Sequence, residues 1–243
     1  MTTKKTALIT GANKGIGFET AKQLLQLGYF VFIGSRDRER GLKAVEELKK
    51  TGFNDIDLLE IDVTNLLSVQ HAREELGAKI SKLDVLINNA GITGEMPQNA
   101  SSISLDNLRT VYETNFFGVI QVTQHFLDLM KKSDEPRIVN VSSDLGSLTN
   151  HSNPDYEFYD VKLTAYCSSK TAVNTFTVML AYELKDTHFK INSVNPGFTA
   201  TDLNGYTGYQ TIEQGTKAII KYATIDQDGP SGKFFGDGLE IAW

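Results

Sequence analysis

Six short apolar runs that alternate with longer stretches of helical spacing constrain this chain more than any other feature. The runs are Ala7–Ile9, Tyr29–Ile33, Asp57–Ile61, Val85–Ile87, Ile138–Val141 and Ile191–Val194. Runs rich in Val, Ile and Leu suit strands covered on both faces, as in a parallel sheet. Between them, apolar residues recur every three or four positions: Leu42, Val45 and Leu48; Val69, Ala72, Leu76 and Ile80; Phe116, Ile120, Thr123 and Leu127; Val173, Phe176, Leu180 and Leu184. Such repeated units imply right-handed crossovers, with helices on both faces of the sheet. The predicted fold is therefore α/β: a single doubly wound domain over residues 1–243 with a mostly parallel seven-stranded sheet. Its last strand is expected around Lys233–Phe235, after the turn Gly229-Pro-Ser-Gly232. The polar stretch Ser147–Tyr159 reads as the clearest loop.

Composition narrows the function classes. With 40% hydrophobic and 22% charged residues over 243 positions, the chain is of ordinary globular make-up. A net charge of −6 repels phosphate backbones and argues against nucleic acid as a partner. No run approaches the roughly 18 apolar residues of a membrane span. The apolar stretch Thr6–Thr10 is too short for a secretory signal and is cut off by Gly11. Cys167 is the only cysteine, which excludes an intrachain disulfide and fits a reducing compartment. The expected location is cytoplasmic, with no membrane partner.

Two local patterns carry chemistry. The first strand runs into Gly11-Ala-Asn-Lys-Gly15-Ile-Gly17 and then a helix from about Ile16 to Leu27. Glycines at that turn let a pyrophosphate approach closely, and the helix start offers it free N–H groups. This is the phosphate cradle of a dinucleotide-binding (Rossmann) unit. The second strand ends at Ser35-Arg36, where a guanidinium suits a ribose 2′-phosphate, with Lys14 and Arg40 as further cations. Asp37 is the competing carboxylate, one residue late for a ribose hydroxyl. The balance favours NADP(H) over NAD.

The second pattern is Tyr166-Cys-Ser-Ser-Lys170, which sets a phenol and an ammonium four residues apart on one helical face. A nearby cation favours the phenolate and is expected to lower the tyrosine pKa toward the working range. Strand Arg137–Val141 ends in Ser142-Ser143 at the carboxyl edge of the sheet, where ligands of open α/β folds bind. Asn115 sits within a helical stretch that it does little to stabilise.

Taken in order, Thr10-Gly-Ala-Asn-Lys-Gly-Ile-Gly17, Asn88-Asn-Ala-Gly91, Asn115, Ser143, Tyr166/Lys170 and Pro196-Gly197 resemble the short-chain dehydrogenase/reductase superfamily over essentially the whole chain. The glycine loop, Arg36-Asp…Arg40-Gly, Thr114-Asn-Phe-Phe-Gly118 and the Gly-Pro-x-Gly-Lys-Phe stretch before Trp243 are similar to its NADPH-dependent carbonyl reductases. The resemblance implies Asn115, Ser143, Tyr166 and Lys170 as catalytic residues. Tyr166 would protonate the carbonyl oxygen, Ser143 would hold it, Lys170 would bind the nicotinamide ribose, and Asn115 would hold a relay water. Implied cofactor contacts are Gly11, Asn13, Lys14, Gly15, Ile16, Gly17, Arg36, Arg40, Asp62, Val63, Asn89, Gly91, Phe198 and Thr201, with Tyr166 and Lys170. Asp62 would touch the adenine and Asn89 the adenosine side; Phe198 and Thr201 would meet the nicotinamide amide and the phosphates.

The implied activity is NADPH-dependent reduction of an aldehyde, ketone or quinone. The alternatives are an NAD-dependent alcohol or sugar dehydrogenase and a catalytically silent NADP(H) sensor. Ser143 and Tyr166 lie 23 positions apart, more than in most of the superfamily, because of the loop Ser147–Tyr159. Carbonyl reductases carry a longer insertion there that accompanies monomers, so monomer and homo-oligomer both stay open. Tyr156, Phe158, Tyr159, Phe198, Tyr206 and Trp243 are candidates for pocket walls or for packing. The four histidines lack ligand spacing, so no metal is expected, and Cys167 reads as a small packed residue.

Overall fold

The computed structural model describes residues 4–243. The apolar runs become β1 (Thr6–Ile9), β2 (Phe30–Ser35), β3 (Ile56–Glu60), β4 (Val85–Asn88), β5 (Arg137–Val141), β6 (Lys190–Asn195) and β7 (Lys233–Gly236). They align in the order β3-β2-β1-β4-β5-β6-β7, all parallel. The order reverses between β1 and β4, which opens a crevice at the carboxyl ends of those strands.

An eighth strand, β8 (Leu239–Glu240), adds antiparallel to β7 and corrects the expected count of seven. It follows a two-residue turn in which Asp237 (φ 41°) and Gly238 (φ 83°) both adopt left-handed backbone. An Asp-Gly pair is suited to such a hairpin, but a two-residue strand is too short to show a period.

Strand residues alternate between two cores. One, with Ile9, Val31, Ile33 and Ile87, is covered by α1 (Gly15–Gln26), α2 (Arg38–Lys50) and α8 (Ile212–Ala223). The other, with Leu8, Phe32, Leu59 and Leu86, is covered by α3 (Leu66–Lys79), α5 (Gly118–Met130) and α7 (Thr164–Glu183). Among the described residues no helix is long and apolar enough to cross a membrane.

Two local readings change. The helix through Asn115 is not continuous: α4 (Leu105–Tyr112) passes through a π-helical turn, Glu113–Phe117, before α5 begins. The wider turn shifts the buried face of α5 to Val119, Val122, Phe126 and Leu129, and of the expected stripe only Thr123 is fully buried. The stretch Ser147–Tyr159 is not all loop, since it holds a one-turn helix, α6 (Leu148–His151), capped by Ser147.

Candidate active site

The glycine turn is shaped by close approach. Gly11 (φ 64°) and Gly15 (φ 57°) adopt backbone that other residues avoid. A Cβ at Gly17 would lie 2.5 Å from Asn89 Nδ2 and 2.7 Å from Gly11 O. Asn89 fastens the turn by donating its amide to Thr10 O (2.9 Å) and Gly11 O (3.1 Å). Thr10 Oγ1 in turn accepts from the backbone N–H groups of Asn89 (3.0 Å) and Ala90 (3.1 Å). Asn89 thus braces the cradle from β4.

Helices α2, α3, α4 and α8 each begin with a side chain that accepts a backbone N–H: Asp37, Asn65, Ser104 and Thr211. Helix α1 has no such cap and no acidic residue in its first turn. Its first N–H groups face a cavity of about 280 Å³ lined by Gly11, Asn13, Lys14, Gly15, Ile16 and Gly17. Arg36, Asp62, Val63, Asn89 and Gly91 also line it, as does Thr201 of the loop after β6. These are twelve of the fourteen cofactor contacts expected outside the Tyr/Lys pair, and a phosphate-bearing nucleotide fits such a donor set.

Two expected contacts are elsewhere. Arg40 lies outside that lining, exposed, with its Nε 3.2 Å from Asp37 Oδ2. Position alone did not reveal that the cap residue at 37 would engage it. Phe198 lines a different cavity, described below. Residues that the sequence did not single out also line the nucleotide cavity, among them Thr64, Asp202 and Leu203. Thr64 is explained by Asp62, whose Oδ1 accepts from Thr64 N (2.9 Å) and Oγ1 (2.8 Å) and so fixes the loop after β3.

The four expected catalytic residues come together beside this cavity. Tyr166 and Lys170 lie on the first turns of α7, both buried, and Lys170 Nζ donates to Val141 O at 2.8 Å. Asn115 is fully buried in the π-helical turn. Its Nδ2 donates to Ile92 O (2.9 Å) and Ser169 Oγ (3.0 Å), and its Oδ1 accepts from Ile92 N (2.8 Å). A Cβ on Gly91 would stand 3.4 Å from Asn115 Oδ1 and 3.6 Å from Lys170 Nζ, so both side chains converge there. Ser143, after β5, places its hydroxyl close enough to the Tyr166 phenol to influence its acidity, while its Oγ also accepts from Leu145 N at 3.2 Å.

The start of α7 is held by a residue that sequence spacing does not reveal. Gln98 is buried, and its Oε1 accepts from Ala165 N (3.0 Å) and Tyr166 N (3.2 Å). Its Nε2 donates to Thr93 O at 2.6 Å. Gln98 thus supplies the cap that Leu163, at the N-cap position, cannot.

A second cavity, of about 580 Å³, opens at the ends of β5, β6 and β7. Asp144, Glu157, Phe158, Phe198 and Tyr209 line it, with Lys217 of α8 and the chain around β8. Tyr156, Phe158, Phe198 and Tyr209 form an edge-to-face chain with centroid separations of 5.7, 5.6 and 5.8 Å. Of the aromatic candidates, Phe158 and Phe198 are therefore wall residues, whereas Trp243 stacks on Phe234 at 5.8 Å.

A model of the short chain dehydrogenase family matches residues 5–211. The chain belongs to this short-chain dehydrogenase family. It is 35% identical to (+)-neomenthol dehydrogenase of Arabidopsis thaliana, with 96% of each chain covered. Among solved structures, the NADPH-bound carbonyl reductase from chicken fatty liver superposes with TM-score 0.86 at 25% identity, covering 99% of each chain. The carbonyl reductase Sniffer of D. melanogaster superposes with TM-score 0.85 at 29% identity, covering 99% of this chain and 100% of that one.

Electrostatics at the short-chain dehydrogenase centre differ from the sequence expectation in one respect. Burial pushes the Tyr166 phenol up to about 12, and the Ser143 hydroxyl opposes this only in part. Lys170 offsets little of this rise in this geometry: the ammonium is 5.7 Å from the ring centroid and is turned to Val141 O. Burial pushes Lys170 itself down to about 8. In a dry site, desolvation of each group outweighs their attraction.

Proposed function

We propose that this short-chain dehydrogenase reduces the carbonyl of a small aldehyde, ketone or quinone with NADPH. The observation that carries the reading is the Ser143–Tyr166 hydroxyl pair, buried at the carboxyl edge with Lys170 behind it. When bound, the reduced nicotinamide supplies the hydride. The residues supply placement and a proton. Ser143 donates a hydrogen bond to the substrate oxygen, and Tyr166 donates its proton to the same oxygen. A phenol pushed up to about 12 is fully protonated at neutral pH, which is the form a donor needs. The resulting phenolate is stabilised by the Lys170 ammonium. The Asn115–Ser169–Ile92 hydrogen bonds hold the π-helical turn against α7, keeping the relay position beside Lys170.

Preference for NADPH is supported by the fate of the carboxylate that argued for NAD. Asp37 accepts from Arg40 N at 3.0 Å as the cap of α2 and pairs with the Arg40 side chain. It is absent from the cavity lining, whereas Arg36 and Lys14 are part of it. The chicken carbonyl reductase, solved with NADPH bound, is consistent with this choice.

The test is a panel of diverse carbonyl compounds followed by nicotinamide absorbance, with NADPH and NADH in parallel. Reduction with NADPH at a kcat/KM at least about tenfold above NADH is expected. Arg36→Ala should weaken NADPH binding by about tenfold or more and NADH by less than about twofold. Equal weakening of both cofactors would remove the 2′-phosphate assignment. Failure to reduce any carbonyl with either cofactor would remove the activity.

A further inference from the structure

Lys14 and Asp202 form an ion pair across the mouth of the nucleotide cavity, and both line it. Lys14 is the residue that precedes α1, and Asp202 opens a one-turn 3-10 helix, Asp202–Asn204, after β6. The two walls come close here: the nearest atom to a Cβ built on Gly15 is Thr201 Cγ2, at 3.9 Å.

The carboxylate sits on a fixed mount. Thr201 and Asn204 cap the turn reciprocally, with Thr201 N donating to Asn204 Oδ1 at 3.2 Å. Asn204 Nδ2 donates to Thr199 O at 2.9 Å, and Gly205 closes the turn in left-handed backbone (φ 61°). Lys14, by contrast, carries its charge on a flexible four-carbon stem. Arg36, the other cation lining the cavity, forms no ion pair among the described residues. One of the two cations is therefore already neutralised by an acid of the chain itself.

We infer that Asp202 is a specificity-determining residue: it occupies Lys14 in the free protein, and a nucleotide's 2′-phosphate must displace it. The inference rests on the reading of Lys14 and Arg36 as the 2′-phosphate site. A phosphate monoester carries about −1.5 to −2 at neutral pH, more than one carboxylate, so it competes successfully for the ammonium. A nucleotide with a free 2′-hydroxyl leaves the Lys14–Asp202 pair in place. Asp202 therefore lowers the affinity of every 2′-phosphorylated ligand and speeds its release, without affecting ligands that lack this group. Both partners are half-exposed, so the effect is modest and sensitive to salt.

Isothermal titration of the whole protein with adenosine 2′,5′-bisphosphate and with AMP tests the inference without turnover. Asp202→Asn should tighten the bisphosphate about fivefold and change AMP by less than about twofold. The gain should shrink as salt rises from about 50 mM to about 500 mM, and should vanish in a Lys14→Met background. No gain for the bisphosphate, or an equal gain for AMP, would overturn the role of Asp202. A wild-type protein that binds AMP as tightly as the bisphosphate would instead overturn the underlying NADPH reading, which separates the two failures.

Discussion

Between β1 and β3 the carboxyl edge is shaped by main chain: glycines at 11, 15 and 17, an uncapped α1 and a braced turn leave only narrow room for side chains. Between β5 and β7 the same edge is shaped by side chains carried on longer connections: Asp144, Glu157, Phe158, Phe198 and Tyr209 surround the larger cavity. The first half presents backbone N–H groups to a ligand whose phosphates are always alike. The second presents rings and carboxylates that can be exchanged without moving a strand. The Ser143 and Tyr166 hydroxyls, proposed above as catalytic, stand at the seam. Changes in the first half should alter cofactor binding and folding, changes at the seam should alter turnover, and changes in the second half should alter which carbonyl is taken.

The largest effect is expected at the seam. Tyr166→Phe removes the proton donor and keeps the ring, so kcat should fall by about a thousandfold or more while the NADPH Kd stays within about twofold. Stopped-flow turnover and fluorescence titration measure the two quantities; unchanged turnover would remove Tyr166 from the chemistry. In the glycine half, Gly17→Ala forces a methyl to within 2.7 Å of a backbone carbonyl that cannot retreat. We expect about a hundredfold loss of cofactor affinity and a melting temperature lower by several degrees. A protein unaltered on both counts would show that the cradle is looser than its geometry implies.

Acidity gives a third separation. Lys170 is pushed down to about 8 and Tyr166 up to about 12. Carbonyl reduction leaves a phenolate, and in the proposed mechanism the protonated lysine is the one positive charge that offsets it through space. Below about pH 8 both groups hold their protons and kcat should be flat; above it the ammonium is lost first and kcat should fall by about tenfold per pH unit. A pH profile of kcat with a falling limb only near 10 would place Lys170 in a wetter setting. Gln98→Ala comes next. It strands two buried N–H groups at the start of α7 and should lower kcat several-fold while leaving cofactor affinity intact. Rescue by Gln98→Glu, which keeps the acceptor, separates positioning from simple loss of stability.

How far these features were legible follows the same divide. The strands of the sheet and the glycine turn were readable because apolar runs and glycines report local physics: burial on two faces and left-handed backbone. Twelve of the expected contacts line one cavity, because that turn and the strand ends bring them together. Arg40 lies outside that lining, its side chain paired with Asp37, the cap of α2, a side-chain event that position alone does not mark. Phe198 follows a proline-glycine turn whose exit direction no spacing fixes. Gln98 and Asp202 act through partners 67 and 188 positions away, so no local pattern marks them. The π-helical turn at Asn115 was missed because an extra residue per turn leaves the apolar content intact and shifts only its phase.

The smallest expected effect concerns charge in the second half. Asp144 and Glu157 face the larger cavity without an ion-pair partner among the described residues, and Lys217 is the single lysine or arginine in its lining. Asp144 lies close enough to Tyr166 to push its pKa further up. An aldehyde carrying a carboxylate meets that field, whereas its neutral isostere does not. With exposed or half-exposed acids and water between, the interaction amounts to about 1 kcal/mol, or roughly a fivefold difference in kcat/KM. Comparing 4-carboxymethylbenzaldehyde with its methyl ester at low salt measures it, and Glu157→Gln should reduce the gap without altering NADPH affinity. A carboxylate substrate taken as readily as the ester would mean that substrates enter past Lys217 rather than past Glu157.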